Sequence, residues 1–299
     1  MENKRTILYV CYFLTAVIES YVHRCREEKD SSAILLVYNS FKKDNRLKEV
    51  FNKVVYADDA SQYHFGEDEK NIEEGIINYY DKVLLNNSIK LDEIDEIYMS
   101  CDMLNDFAIY CSFYKKSYQL FEYGNNQLTD DRWKLYEWHI VNKNVHGSAN
   151  YFRVAQKHHS ICSLSPYCVQ KWIHVGSSKE KYSNGDYIEY DFAKELLNLQ
   201  IGQKEILVDC FDNDEVGIRN YCERANGSIM ILTQRQWQYP VTEIETGVLY
   251  QYYVDYFFQN NGLNKISIKP HPSDTWKHND FFEKSNLHSI DKALPFLFL

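Results

Sequence analysis

Short apolar runs alternate with longer amphipathic stretches along the first half of the chain. Runs rich in Ile, Val, Leu and Tyr are typical of buried strands, and the stretches between them repeat apolar residues at helical spacing. The pattern predicts strands at residues 7–12, 33–38, 53–56, 96–100 and 117–122, and helices at residues 13–28, 45–52, 71–85 and 102–114. Continuous apolar strands joined by helices indicate a parallel sheet that is covered on both faces.

A second α/β pattern follows a segment rich in Trp, His and Tyr, residues 129–200, in which the pattern is irregular. Strands are predicted at residues 205–211, 228–233 and 265–269. Thr242 and Glu245 form a capping box that begins a helix before the last of these strands. The fold class is therefore α/β, with two Rossmann-like domains facing a cleft, at residues 1–215 and 216–299. Because no GxGxxG motif follows the first strand, a dinucleotide cofactor is not supported.

Composition narrows the function classes. The chain has 299 residues and a formal net charge of −10, which argues against a nucleic-acid-binding protein. None of its eight cysteines forms a CxxC pair, so no zinc site or redox dithiol is indicated and a reducing compartment is expected. The apolar stretch that begins at Ile7 is interrupted by Thr15 and Glu19, and no cleavage site follows it. We therefore expect a cytoplasmic protein.

Two strand ends carry the candidate chemistry. In the second half, the strand at residues 265–269 ends at Lys269 and leads into His271, which stands between two prolines. Ligands of open α/β sheets bind beyond the carboxyl ends of strands, and a lysine beside an imidazole favours an anionic ligand such as a phosphate. In the first half, Glu122 ends a strand two residues before Gly124. Such a carboxylate is accessible and can act as a general base.

These residues together resemble a known group, the bacterial CMP-sialic acid transferases of the GT-B class. That group includes the lipooligosaccharide sialyltransferases (glycosyltransferase family 52) and the polysialyltransferases. Its members carry an acidic-acidic-Gly motif in the first domain and a His-Pro motif in the second, to which Glu122-Tyr-Gly124 and His271-Pro272 correspond. Residues 7–14 are similar to the first strand and helix of the family, and residues 229–234 to the first strand of its nucleotide-binding domain.

The resemblance implies an inverting, metal-independent transfer of sialic acid from CMP-sialic acid to a glycan hydroxyl, with no cofactor. Residues 1–215 would form the acceptor-side domain, with Glu122 as the general base, and residues 216–299 the nucleotide-binding domain. His271 would contact the CMP phosphate and stabilise or protonate the leaving group. The remaining implied nucleotide-binding residues are Lys269, Pro272, Thr233 and Gln234.

The implied partners are a sugar-nucleotide donor and a glycan or glycolipid acceptor. A peripheral contact with the inner membrane and a homodimer are both compatible with this interpretation, and no nucleic acid is expected.

The sequence departs from the family pattern at three points. Tyr123 stands where the family has a second acidic residue. The family also continues into a Pro-x-Glu segment, whose Glu holds the CMP ribose, and then into a Ser/Thr pair that binds phosphate. Here Leu297 occupies the position of that Glu, and the sequence ends at Leu299. We therefore expect a shortened C-terminal domain.

Other functions stay open at this point. A CMP-Kdo transferase or a CDP-polyol transferase of the same fold would use the same cleft with another donor. A GT-A enzyme would use Asp212 and Asp214 as a DxD metal site. A degenerate, non-catalytic protein that binds a glycan or a nucleotide would explain the missing family residues. His158, His159, Cys162 and Cys168 match no standard zinc spacing, so structural or surface roles are expected for them.

Overall fold

The chain divides into two compact units, Met1–Ile206 (unit 1) and Leu207–Leu299 (unit 2). The computed structural model describes residues 4–12, 14–26, 31–38, 46–58, 68–100, 106–122, 149–160, 165–175, 186–211, 229–232, 252, 256, 266–269 and 287–289. Within these residues, unit 1 contains a sheet of seven strands and unit 2 a sheet of three. No helix of the described ranges is long and apolar enough to cross a membrane.

The sheet of unit 1 is parallel throughout. Its strands are β1 Thr6–Cys11, β2 Ser32–Tyr38, β3 Lys53–Ala57, β4 Glu96–Met99, β5 Tyr118–Phe121, β6 Cys168–His174 and β7 Asp186–Tyr190. Their order across the sheet is β3-β2-β1-β4-β5-β6-β7. The five strands predicted for the first half are confirmed, and β6 and β7 arise from the irregular segment in which none was assigned.

Six helices are described: α1 Leu14–Arg26, α2 Glu69–Asn86, α3 Asp106–Phe113, α4 Ala149–Lys157, α5 Phe192–Asn198 and α6 Ile201–Phe211. The first three confirm the helices predicted after β1, β3 and β4. Asp68 caps the N-terminus of α2: its side chain accepts a hydrogen bond from the backbone N–H of Asn71 at 2.9 Å, which stabilises the first turn. The helix predicted at residues 45–52 is shorter than expected, a 3-10 turn at Arg46–Glu49.

The strand predicted at residues 205–211 is wrong, because these residues form the second half of α6. The apolar run at residues 206–208 is too short to distinguish the two periods from sequence alone. In the structure the buried positions are Leu207 and Cys210, three residues apart, which is the spacing of one helix face.

Successive residues of each strand point to opposite faces of the sheet. On one face, Leu8 and Val10 of β1 belong to the main apolar core, which α2, α3 and α4 cover. On the other face, Tyr9 packs against the ring of His23 from α1, with the ring centroids 5.7 Å apart. The same imidazole also contacts the next strands in order, through Tyr98 of β4, Phe121 of β5 and Trp172 of β6. Through these ring contacts α1 packs against four adjacent strands, β1, β4, β5 and β6.

Unit 2 contains β8 Ile229–Leu232, β9 Ile266–Lys269 and β10 Leu287–Ser289. These strands are parallel in the order β10-β9-β8. The strands predicted at residues 228–233 and 265–269 are thereby confirmed. The helix predicted to begin at Thr242 lies outside the described residues.

Candidate active site

The predicted general base, Glu122, lies at the carboxyl edge of the unit 1 sheet. It directly follows β5, and the neighbouring strand β6 ends at His174. Because β5 and β6 are parallel, their carboxyl ends meet at the same edge, which is where open α/β sheets bind ligands. The predicted position of Glu122 at a strand tip is confirmed.

Glu122 forms two hydrogen bonds with residues of β6. Its backbone N–H donates to the carbonyl oxygen of Trp172 at 2.8 Å. Its side-chain Oε2 accepts from the backbone N–H of His174 at 2.6 Å. A carboxylate that accepts a backbone N–H continues the ladder beyond the last strand residue, so Glu122 holds the end of β6 in register with β5.

His174 brings a second carboxylate into the site. Its Nε2 lies 2.8 Å from Oε1 of Glu19, which belongs to α1. The side chain of Glu19 is 7% exposed and that of His174 is 41% exposed, so the pair joins a buried acid to an accessible imidazole. We call Glu19, Glu122 and His174 the edge cluster.

The charges of the edge cluster shift one another's ionisation. The hydrogen bond that His174 donates to Glu19 raises the pKa of His174 above its ordinary value; burial opposes this increase, and the charges of both glutamates add to it. Burial raises the pKa of Glu19, and the bond and charge of His174 limit that increase. The protonated imidazole is thus stabilised between two carboxylates, which suits a group that exchanges a proton near neutrality.

Aromatic rings and one cation surround the edge cluster. The imidazole of His174 stacks on Phe192 of α5, with the ring centroids 5.9 Å apart and an interplanar angle of 23°. The guanidinium of Arg26 lies 5.8 Å from the ring centroid of Trp172 and 6.0 Å from that of Tyr190, within the range of a cation–π contact. The stacking limits the rotation of the imidazole, and Arg26 places a positive charge against the rings of Trp172 and Tyr190.

Glu19 and His174 were missed as site residues. In the sequence, Glu19 shows only as a charge that interrupts an apolar stretch, and His174 as the polar end of the run Lys171-Trp-Ile-His174. Glu19 itself could have indicated the site, since an isolated carboxylate on a buried helix face needs a partner. That partner lies 155 residues away, a separation that no local pattern covers.

The predicted nucleotide-binding residues belong to unit 2. Lys269 is the last residue of β9 and pairs in register with Leu232, the last residue of β8. The two strand ends therefore meet at one edge of the unit 2 sheet. His271, Pro272, Thr233 and Gln234 lie outside the described residues.

The described residues contain no group of three or more His, Cys, Asp or Glu side chains that could hold a metal ion. Asp212, Asp214 and Cys162 lie outside those residues. His158 joins helices: its Nε2 lies 2.6 Å from Oε1 of Glu73 in α2 and its Nδ1 3.1 Å from Oγ of Ser112 in α3. The structural role expected for His158 is confirmed.

No family model and no curated protein matches the sequence. Solved structures match in fold. An α/β-galactoside α-2,3-sialyltransferase from Photobacterium phosphoreum is 13% identical, with a TM-score of 0.56 over 100% of this chain and 83% of that chain. The GT-B domain of a sialyltransferase from Photobacterium damselae is 10% identical, with a TM-score of 0.49 over 98% and 82%. A UDP-GlcNAc 2-epimerase from Neisseria meningitidis is 14% identical, with a TM-score of 0.48 over 98% and 74%.

The first of these likenesses bears on the predicted fold. It spans the whole of this chain, and sialyltransferases are glycosyltransferases. The predicted GT-B-like α/β fold class is confirmed, and so is the resemblance in fold to bacterial sialyltransferases.

Proposed function

We propose that this protein is a glycosyltransferase that moves sialic acid from CMP-sialic acid to a hydroxyl of a bacterial surface glycan. The observation that carries the proposal is the likeness in fold to an α-2,3-sialyltransferase over 100% of this chain. The edge cluster adds support, because the residue predicted as general base lies at a strand tip among groups suited to proton exchange. The acceptor is a glycan or a glycolipid, reached from the cytoplasmic side with peripheral contact at the inner membrane.

The reaction is a direct displacement with inversion at the anomeric carbon. The O–H bond of the acceptor breaks, and its proton passes to the edge cluster, for which the sequence predicts Glu122. The hydroxyl oxygen forms a bond to the anomeric carbon of the donor. The bond from that carbon to the phosphate oxygen breaks, and its electron pair leaves with CMP.

The departing phosphate gathers negative charge, which cationic groups can stabilise. Lys269 and His271 supply positive charge and a hydrogen-bond donor, while Pro272, Thr233 and Gln234 shape the pocket. The register of Leu232 opposite Lys269 supports this assignment, because Lys269 is one of the two strand ends and the other four residues follow these ends directly in the sequence. Preorganised donors of this kind typically contribute about 3–4 kcal/mol each to catalysis, so the transfer requires no metal ion.

Nucleotide binding and transfer test the proposal. Calorimetric titration of the purified chain with CMP, UDP and CDP is expected to show metal-independent binding of CMP that His271→Ala removes. His159→Asn serves as the matched control, since His159 is an exposed histidine with a φ of 49° and asparagine tolerates that conformation. Transfer is then assayed with CMP-sialic acid, CMP-Kdo and CDP-glycerol in the presence of EDTA.

Each outcome separates the alternatives. Transfer from CMP-sialic acid alone supports the proposal, and transfer from another donor assigns a different transferase of this fold. CMP binding without transfer from any donor contradicts catalysis and favours a non-catalytic nucleotide-binding protein. Binding that depends on Mn²⁺ contradicts the metal-independent mechanism.

A further inference from the structure

The two ring nitrogens of His174 have different surroundings. Nε2 lies 2.8 Å from the buried carboxylate of Glu19. Nδ1 makes no hydrogen bond to any residue that the structure describes, although 41% of the side chain is exposed. One nitrogen is therefore anchored, and the other, on a partly exposed side chain, has no hydrogen-bond partner among the described residues.

A buried carboxylate beside one ring nitrogen fixes the tautomer of the imidazole. The proton resides on Nε2, where it donates to Glu19, and the lone pair is left on Nδ1. Serine hydrolases use the same arrangement, in which a buried acid orients a histidine that acts as general base and stabilises the imidazolium that forms. Stacking on Phe192 adds a second restraint on the ring.

The Oε2 atom of Glu122 has a different role in the described geometry. Oε2 accepts the backbone N–H of His174 at 2.6 Å, so this carboxylate is engaged in holding the end of β6. A histidine also has an ordinary pKa closer to neutrality than a carboxylic acid has. General-base catalysis is most effective when the pKa of the base lies near the working pH.

We infer that Nδ1 of His174 is the atom that accepts the proton of the acceptor hydroxyl, with Glu19 as its positioning residue and Glu122 as the anchor of its backbone. The inference rests on the proposed function and names the proton acceptor within the edge cluster. The O–H bond breaks, the proton passes to Nδ1, and the oxygen's electron pair forms the bond to the anomeric carbon. The resulting imidazolium is stabilised by the charge of Glu19.

The groups that face this pair determine its pH dependence. Glu19 lies on α1 and Glu122 follows β5, and both carboxylates favour the imidazolium. Tyr190 of β7 and Cys11 of β1 also lie within the electrostatic range of Glu19. Burial raises the pKa of Cys11 to about 12 and that of Tyr190 well above its ordinary value, so both stay neutral near pH 7. The carboxylates of Glu19 and Glu122 are then the charges that act on His174.

These charges determine in which direction Glu19→Gln shifts the pH profile of kcat/KM. A general base must be deprotonated, so kcat/KM falls as the pH drops below the pKa of His174. Because Glu19 raises that pKa, replacing it with Gln lowers the pKa and moves the acidic limb of the profile to lower pH. A merely structural role for Glu19 would change the plateau without moving the limb.

The experiment compares Glu19→Gln, Glu122→Gln and His174→Gln with the His159→Asn control in the full chain. It measures transfer from CMP-sialic acid between about pH 5.5 and pH 8.5, and the pKa of each imidazole by NMR of ¹³C-labelled histidine. Because His174→Gln leaves a buried carboxylate without its partner, the double variant Glu19→Gln with His174→Gln is included as a neutral pair. The thermal midpoint of each variant is recorded.

We expect His174→Gln and the double variant to lower kcat by roughly 10²–10⁴-fold, the usual share of a general base, while CMP binding is retained. Glu19→Gln should shift both the NMR pKa of His174 and the acidic limb downward together. A loss below tenfold in the folded double variant, or an unmoved limb in Glu19→Gln, overturns the inference while the transferase function stands. If the wild-type chain transfers from no donor, the proposed function fails and the inference fails with it.

Discussion

At the scale of the residue, His23 shows how strongly packing alone can change an ionisable group. Its side chain is fully buried among aromatic rings, and the hydroxyl of Tyr9 lies 2.8 Å from its Nδ1. Burial, aided by the charges of Arg26, Arg5 and Arg24, lowers its pKa to about 3. The imidazole is therefore neutral in the folded protein throughout the physiological range.

This neutral imidazole makes the fold sensitive to acid. In the unfolded chain a histidine has a pKa of about 6.5, so below that pH only the unfolded state binds the proton. Stability is fully present above about pH 6.5 and falls by about 1.4 kcal/mol per pH unit as the pH drops towards 3. Urea unfolding of the wild type and of His23→Phe at about pH 7.5, 6 and 5 tests this.

Between pH 6.5 and pH 5, His23→Phe should lose less unfolding free energy than the wild type. The difference should be about 2 kcal/mol, at about 1.4 kcal/mol per pH unit. Some loss will remain, because burial also lowers the pKa of His158. His159→Asn, at an exposed position, should follow the wild-type curve. Parallel curves for His23→Phe and the wild type would contradict the assignment.

Only one residue of the edge cluster, Glu122, could be predicted from the sequence. Glu122 could be found because a carboxylate before a glycine at a strand end is a local pattern. Glu19 and His174 could not, because what makes each of them a site residue is the other one. Their pairing depends on α1 crossing over β6, which is a property of the folded sheet.

At the scale of the element, two glutamates of α2 form polar contacts at α4, and these contacts differ in how exposed they are to solvent. Glu73 of α2 accepts hydrogen bonds from Lys157 at 2.7 Å and from the mostly buried His158 at 2.6 Å. One helical turn earlier, Glu69 pairs with Arg153 at 3.4 Å, and both of these side chains are largely exposed. Both glutamates of α2 contact α4 or the residue directly after it, so Glu73 and Glu69 form a matched comparison of a more buried and a more exposed contact.

Glu73→Ala is expected to cost about 1–3 kcal/mol of unfolding free energy, because it leaves the N–H of a buried imidazole without its acceptor. Glu69→Ala should cost less than about 1 kcal/mol, since an exposed ion pair contributes little and the rest is the interaction of an acid with the helix N-terminus. Chemical denaturation of both variants measures the difference. Equal costs would show that the contact of Glu73 with His158 adds nothing to the packing of the helices.

The elements themselves were largely predictable where one period dominates. The first five strands and the helices α1, α2 and α3 follow from apolar runs and helical spacing. The errors fall where the pattern is short or mixed: residues 205–211 form a helix because Leu207 and Cys210 are buried on one of its faces. β6 and β7 escaped assignment because their sequences, CVQKWIH and DYIEY, are neither continuous apolar runs nor strict alternations of polar and apolar residues.

At the scale of the whole molecule, each unit contains its own parallel sheet. The sheet of unit 1 is covered on both faces by helices that belong largely to residues 1–206. A segment of about 200 residues can bury enough apolar surface to be stable without further chain. By our proposal, the residues that bind the nucleotide lie in unit 2.

A fragment of residues 1–211, which keeps α6 whole, should therefore fold without binding CMP. We expect far-UV circular dichroism of a mixed α/β protein and a single cooperative urea transition. Calorimetry should detect no CMP binding to the fragment, with the full chain as the control. A fragment that lacks a cooperative transition would show that the core of unit 1 needs residues beyond 211.

The sequence by itself determined the α/β class, most strands and helices of the first half, and the strand tips at Glu122 and Lys269. These depend on short-range periodicity, which the alternation of apolar and polar residues records directly. The tertiary structure alone decided the order of the seven strands, the helical state of residues 205–211 and the contact of Glu19 with His174. The strand order and the contact of Glu19 with His174 join residues that are distant in the chain, and the helical state of residues 205–211 follows from which of them are buried, so no local stretch of sequence contains the free energy that decides them.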